Sequence, residues 1–161
     1  MKTVQGNLID MAERGEFDII IHGANIHNTM GSGIAGEIRR RIPSMVEVDC
    51  MTVAGDIRKL GTFTLADTGF VSQTGNPDFY TVMGVNLYTQ ATIGQPGNNV
   101  DYDGLARGLY QLNLMFIDFD VQPKIGIPKI GAGLGGGDWT RIRAIIESIG
   151  FKDITYVEFT G

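Results

Sequence analysis

Apolar residues recur along this chain with two periods, and the switching between them marks out alternating strands and helices. KTVQG, residues 2–6, reads as a short opening strand, and NLIDMAERG as a short helix stopped by Gly15. FDIIIHGA is a nearly continuous β-branched run, which suits a strand buried on both faces. Ile34, Ile38 and Ile42 then recur every four residues on one face of a helix that Pro43 ends. Pro43 in turn opens a second helix in PSMVEVDCMTVAG. TFTLADTG and FYTVMGVNLYTQ read as strands, with SQTGNP turning between them. Beyond the polar loop TQATIGQPGNN, Leu105, Leu109, Leu112, Phe116 and Phe119 step by four and three, the strongest helical signal in the chain. KIGIP is a short strand and IGAGLGGGD a glycine-rich loop. Trp139, Ile142, Ile146 and Ile149 line a last amphipathic helix before the strand ITYVEF. Strands alternating with helices predict an α/β architecture, with a mixed sheet covered on both faces.

The chain has 161 residues, with no internal repeat, linker or low-complexity segment, so one domain over residues 1–161 is expected. A share of 43% apolar and 19% charged residues is that of a globular protein. The net charge of −5 is spread without a basic run, which disfavours tight binding to a nucleic-acid backbone. A small anion remains possible, because backbone N–H groups bind phosphate without net positive charge. Cys50 is the single cysteine and is expected to be a small buried apolar residue, with a reactive thiol as the alternative. No apolar run reaches the roughly 18 residues of a membrane span, and MKTVQGNLIDM lacks the apolar core of a signal peptide. A cytoplasmic location and no membrane partner are the expectation.

The two glycine loops share one design: apolar strand, glycine loop, amphipathic helix. In an α/β sheet each loop then lies at the carboxyl end of a strand, where ligands bind, with the following helix N-terminus turned toward it. Glycines let a ligand approach the amides closely, so two such loops facing one cleft would clamp a diphosphate. GAGLGG, Gly131 to Gly136, fits G-x-G-x-x-G, and Glu158 lies near the spacing of a ribose-binding acid. A dinucleotide-dependent oxidoreductase is therefore a competing reading. Its fingerprint normally opens a βαβαβ unit, whereas only three residues follow Glu158 here.

HGANIHNTMGSGIAG also holds both histidines. Two histidines without a third ligand make a poor metal site, and none is expected. His22 ends a buried strand, where it is either a hydrogen-bonded structural residue or a proton carrier whose reference pKa suits neutral pH. His27 is expected to face solvent. Asp138 reads as the N-cap of the last helix, with acid–base work as its alternative.

Taken together, IIIHGANIHNTMGSGIAGEI resembles the first ligand loop of macro domains, the ADP-ribose-binding family. There a strand runs into N/H-x-A/C-N, a variable stretch, G-G/S-G and [IV]-A. IPKIGAGLGGGDW resembles their second loop, P-x-[IL]-x-x-G-[IL]-x-G. The likeness covers essentially the whole chain, including QGNLI and YVEF. It implies a three-layer α/β/α fold around a mixed, mostly parallel sheet. The H-x-x-N form and Trp139 look most like the branch of ADP-ribose-1''-phosphate phosphatases and of hydrolases that remove terminal ADP-ribose from glutamates.

The resemblance implies roles for single residues. Asn25 would contact the distal ribose, as a side chain that both donates and accepts. The amides around Gly31, Ser32 and Gly33 would hold the distal ribose and diphosphate, with Ala24 and Ile34 also among the ligand-binding residues. Gly131, Ala132, Gly133, Leu134, Gly135 and Gly136 would close over the phosphates from the other side. Asn7, beside Leu8, stands where most members have an aspartate that accepts from adenine, and it is a weaker, uncharged acceptor. Phe159 would stack on adenine or serve the core. Asn25, His22 and Asp138 make the candidate catalytic set. Two departures matter: Gln90 and Gly135 stand where glycohydrolases of this branch place a lysine nucleophile and an aspartate. Gly135 also replaces an aromatic residue that many members set over the distal ribose, leaving any cover to TQATIGQPGNN.

The resemblance therefore implies an enzyme that binds ADP-ribose and removes phosphate from ADP-ribose-1''-phosphate. It would need no cofactor or metal and would act as a monomer on a small ADP-ribose derivative, free or carried on a protein. The alternatives are a non-catalytic ADP-ribose reader and a deacylase or glycohydrolase acting on O-acetyl- or protein-linked ADP-ribose.

Overall fold

The computed structural model describes residues 1–31, 33–93, 99–133 and 135–160. Among the described residues twelve elements follow one another: β1 (Lys2–Gly6), α1 (Leu8–Glu13), β2 (Ile19–Asn25), α2 (Gly33–Arg41), α3 (Pro43–Cys50), a 3-10 turn (Ile57–Lys59), β3 (Phe63–Val71), β4 (Thr81–Gln90), α4 (Tyr102–Met115), β5 (Ile125–Ile127), α5 (Trp139–Ile149) and β6 (Ile154–Phe159). The strands form one sheet in the order β1-β6-β5-β2-β4-β3. All neighbours are parallel except the β3–β4 hairpin. The architecture is α/β with a mixed sheet, as the alternation of patterns predicts, and the sheet is mostly parallel, as the macro-domain resemblance implies.

Strand alternation divides the core in two. Ile19 and Ile21 of β2 pack with Leu105, Leu109 and Leu112 of α4 and with Ile142 and Ile146 of α5. Ile20, between them in sequence, points to the other face, toward Leu8, Ile9, Ile38, Ile42 and Met45 from α1 to α3. Every β2 residue from Ile19 to His22 is buried, which is why the strand reads as a continuous apolar run rather than an alternating one.

Pro43 works as the sequence suggests, ending α2 and occupying the first turn of α3. Two expectations are corrected. The apolar stripe through Phe119 overruns α4, which stops at Met115; Phe116 and Phe119 instead fold back in turns and join Phe79 in an aromatic cluster, with Phe116 and Phe119 edge to face at 5.4 Å. Cys50 is exposed rather than buried, because α3 turns Met45 and Asp49, four residues apart, toward the sheet. Among the described residues no helix is long and apolar enough to cross a membrane.

Candidate functional site

Five strands run parallel, so their carboxyl ends share one edge of the sheet, and a cleft of about 910 Å³ lies along it. Residues from or just beyond each of the five line it: Asn7 and Leu8 after β1, His22 to Asn25 of β2, Gln90 of β4, Pro128 to Gly131 after β5, and Tyr156 to Phe159 of β6. In open α/β sheets ligands bind in this position, in the crevice outside the carboxyl ends of the strands. One end is formed by Asn7, Leu8, Glu158 and Phe159, and the other by Asn25, Gln90, Thr92 and Ile93.

The first glycine loop joins β2 to α2 and contributes Thr29, Gly31, Gly33 and Ile34 to the cleft wall. Its shape depends on Asn25. The Asn25 carboxamide oxygen accepts from the His27 backbone N–H at 2.8 Å, and its nitrogen faces the hydroxyl and carbonyl oxygens of Thr29 at 2.9 and 3.1 Å. Asn25 therefore organises the loop and lines the cleft together. A β-bulge between Ala24 and Asn25 shifts the register with β4 where the strand gives way to the loop.

The second glycine loop divides its residues between two jobs. The N–H groups of Ala132 and Gly136 are spent on Lys129 and Gly133 carbonyls, and that of Gly137 on the Gly131 carbonyl at 2.8 Å. Gly131, Gly133 and Gly135 line the cleft. Gly131 has φ of 71°, which a glycine adopts without strain, and it lies close against Val100 and Ile142. A Cβ on Gly135 would lie 2.6 Å from the Gly131 carbonyl oxygen, so the loop closes on itself too tightly for a side chain there. Asn99 N–H donates to the Gly135 carbonyl at 2.8 Å, tying the loop to the segment that follows β4.

Of the site residues expected from sequence, Asn7, Leu8, His22, Ala24, Asn25, Gly31, Gly33, Ile34, Gly131, Gly133, Gly135 and Phe159 border this cleft. Ala132, Gly136 and Asp138 are not among its lining residues. Ser32 and Leu134 lie outside the described residues, as do 94–98 of the loop after β4; Thr92 and Ile93 of that loop do border the cleft. Asn7 also N-caps α1, its side-chain oxygen accepting from Asp10 N–H at 3.0 Å. Asp138 N-caps α5, accepting from Thr140 and Arg141 N–H groups. Phe159 is 70% exposed, so its ring is open to a stacking partner.

His22 is 1% exposed, and burial lowers its pKa below the usual imidazole value. Its Nε2 meets Asn86 Oδ1 at 2.6 Å, while Nδ1 is buried without a partner among the described residues. His27, expected to face solvent, is half-buried: its Nε2 meets the Ala91 carbonyl at 2.7 Å and straps the first loop to the exit of β4. Gln90 and Gly135 are neighbours, since a Cβ on Gly135 would lie 3.2 Å from Gln90 Nε2. The remaining charged lining residues are Glu37, Lys129 and Glu158; the wall is otherwise largely apolar, with Leu8, Ile34, Ile93 and Ile130 among its residues, and its polar groups are mostly uncharged. Among the described residues no group of three or more His, Cys, Asp or Glu is placed to hold a metal ion.

A buried polar network behind the first loop was not legible in the sequence. Asn86 Nδ2 donates to the Met45 carbonyl and the Thr64 hydroxyl, which meets Tyr88 Oη at 3.2 Å. Tyr88 donates to Asp49 at 2.7 Å, and burial together with that carboxylate pushes its phenol up to about 12. Lys59, 7% exposed, donates to the Ile26 carbonyl at 2.8 Å and to Asn28 Oδ1, with its ammonium 4.7 Å over the Tyr88 ring. These partners are 22 to 41 residues apart, and no local spacing announces them.

No model of a known protein family matches the chain. An uncharacterized 17.5 kDa protein from the tk–vs intergenic region of enterobacteria phage T4 is 33% identical over 153 residues, covering 94% of this chain and 91% of its own. Among solved structures, the macrodomain of Mycobacterium tuberculosis DarG is 20% identical and superposes with a TM-score of 0.70, over 99% of this chain and 97% of its own. Thermosipho africanus DarTG, solved in complex with ADP-ribose, gives a TM-score of 0.70 at 15% identity, over 98% of this chain and 41% of its own.

Proposed function

Because this chain belongs to one family with the phage T4 protein and has the macro-domain fold, we propose that its cleft binds ADP-ribose. The observation that carries this reading is the pair of glycine loops facing one cleft at the carboxyl ends of five parallel strands. Adenine lies at the Asn7 and Phe159 end, where Phe159 supplies a stacking face and Asn7 a side-chain acceptor. The diphosphate crosses the sheet edge between the Gly31 and Gly33 side and the Gly131, Gly133 and Gly135 side. There, neutral amides bind it without the cost of burying a counter-charge. The distal ribose lies beside Asn25, Gln90 and Thr92. That DarTG was solved with ADP-ribose supports the choice of ligand.

The activity we infer is hydrolysis of ADP-ribose-1''-phosphate to ADP-ribose and inorganic phosphate. Water attacks the terminal phosphorus, the bond to the ribose oxygen breaks, and the loop amides share the developing charge. Asn25 fixes the ribose, and His22 Nδ1, an unprotonated nitrogen, is the candidate proton acceptor. Asp138 acts by holding α5. The test is phosphate release from ADP-ribose-1''-phosphate: Asn25→Ala is expected to lower turnover by about 100-fold, the scale of one lost positioning contact. Undiminished turnover in that variant would sink the assignment.

A second reading is a reader that binds ADP-ribose without turnover. Gln90 and Gly135 in place of a lysine and an acid favour it, as does the burial of Nδ1. Binding with zero turnover on phosphorylated, O-acetylated and protein-linked ADP-ribose would select it.

A further inference from the structure

We propose that Lys59 is a positioning residue for the first ligand loop, holding the stretch from Ile26 to Asn28 so that Thr29 and Gly31 meet the distal half of the ligand. The inference rests on the reading of the cleft as an ADP-ribose site. Its evidence is the way the loop is held from behind. The Ile26 carbonyl accepts two bonds, from Gly55 N–H at 2.7 Å and from Lys59 Nζ at 2.8 Å. Asn28 stands at φ of 57°, the left-handed region, which Asn enters more readily than most residues and where side-chain hydrogen bonds support it. That support comes from its side chain. Nδ2 donates to the Thr52 carbonyl at 2.8 Å, while Oδ1 accepts from Lys59 and lies 3.1 Å from the Thr52 hydroxyl.

An ammonium has three donors, and Lys59 meets two oxygens and the face of Tyr88, so its partners are complete. Burial disfavours its charge, while Asp49 and Asp56 lie close enough to favour it. A cation taken out of water at this position is costly, and its bonds are directed at the loop rather than at the sheet core. The next residue, Thr29, bonds to Asn25 and lines the cleft, as does Gly31. The chain of contact therefore runs from Lys59 through Asn28 to the cleft wall in two residues. Lys59 touches no part of the cleft itself, since it is absent from the lining.

The test exploits the geometry of the ligand. AMP fills the adenine end and reaches only the first phosphate position, whereas ADP-ribose extends along the first loop to the distal ribose. Titration calorimetry of the full chain with each ligand reads the ratio of the two affinities. Lys59→Met keeps an unbranched apolar stem, one atom shorter, and removes the ammonium. It is expected to weaken ADP-ribose about tenfold, the size of one charge-assisted hydrogen bond, and to leave AMP within about twofold. Asn28→Gly keeps the left-handed backbone available and removes the side-chain bonds. It should shift the ratio in the same direction, and it carries the test if Lys59→Met does not fold. A ratio unchanged in the folded variants, or an equal loss on both ligands, overturns the proposal while leaving the binding reading intact. Failure of the unmodified protein to bind ADP-ribose overturns both.

Discussion

His22 Nε2 lies 2.6 Å from Asn86 Oδ1, and the surroundings of Asn86 decide which of the two carries the proton. The Asn86 nitrogen donates to the Met45 carbonyl at 2.9 Å, an atom that only accepts, so its oxygen must face the imidazole. His22 is therefore protonated on Nε2, and Nδ1 is the bare nitrogen. Burial keeps the ring neutral by lowering its pKa. In the unfolded chain it titrates near 6.5, so the unfolded state binds a proton that the folded state refuses. Stability should be independent of His22 above about pH 6.5 and fall as pH drops below it, with a slope of up to about 1.4 kcal/mol per pH unit. Urea titrations between pH 4 and 8 should show that component in the unmodified protein and not in His22→Gln. Identical pH profiles would contradict the neutral assignment.

Asp138 separates the capping reading from the catalytic one. Its carboxylate holds the Thr140 N–H at 3.0 Å, and it is not among the cleft-lining residues. Asp138→Asn keeps a capping oxygen, whereas Asp138→Ala removes it and should cost about 0.5–2 kcal/mol. Ligand affinity and any turnover should stay within about twofold in both, a change worth well under 1 kcal/mol. Loss of turnover in Asp138→Asn with stability kept would assign it to the chemistry.

Gly135 tests the geometry of the second loop. A methyl group there would collide with the Gly131 carbonyl, which is backbone and cannot swing aside. Gly135→Ala should therefore displace the loop, costing on the order of 1–3 kcal/mol in stability and tenfold or more in ADP-ribose affinity. Gln90→Ala leaves that backbone contact untouched and should be milder on both. A Gly135→Ala protein with the stability and affinity of the original would show that the loop is looser than described.

Much of this fold was legible because its helices and strands are locally signalled. Pro43 divides α2 from α3 as its missing N–H and fixed φ require, and Ile38, Ile42, Leu105, Leu109, Ile142 and Ile146 all lie where their spacing puts them. The overrun at Phe116 and Phe119 shows the limit: periodicity says which side chains are buried, not whether a helix or a turn buries them. The cleft was legible in its backbone, since a glycine loop after an apolar strand of an α/β sheet lies at the carboxyl edge where the cleft is found. Its side-chain support was not. Lys59, Asp49, Asn86 and Tyr88 look like ordinary surface or strand residues until the sheet brings them together. His27 misled for the same reason, because its partner Ala91 is 64 residues away.

The measurement that bears most directly on the account is the thermal unfolding of this protein with ADP-ribose, NAD, ATP and AMP in parallel. A ligand at about 100 times its dissociation constant stabilises the fold by roughly 2.7 kcal/mol. For a chain of this size that is a rise on the order of 5–10 °C in Tm. ADP-ribose is expected to produce this rise, and NAD, ATP and AMP smaller ones at equal concentration. A shift with ATP or NAD and none with ADP-ribose would contradict it.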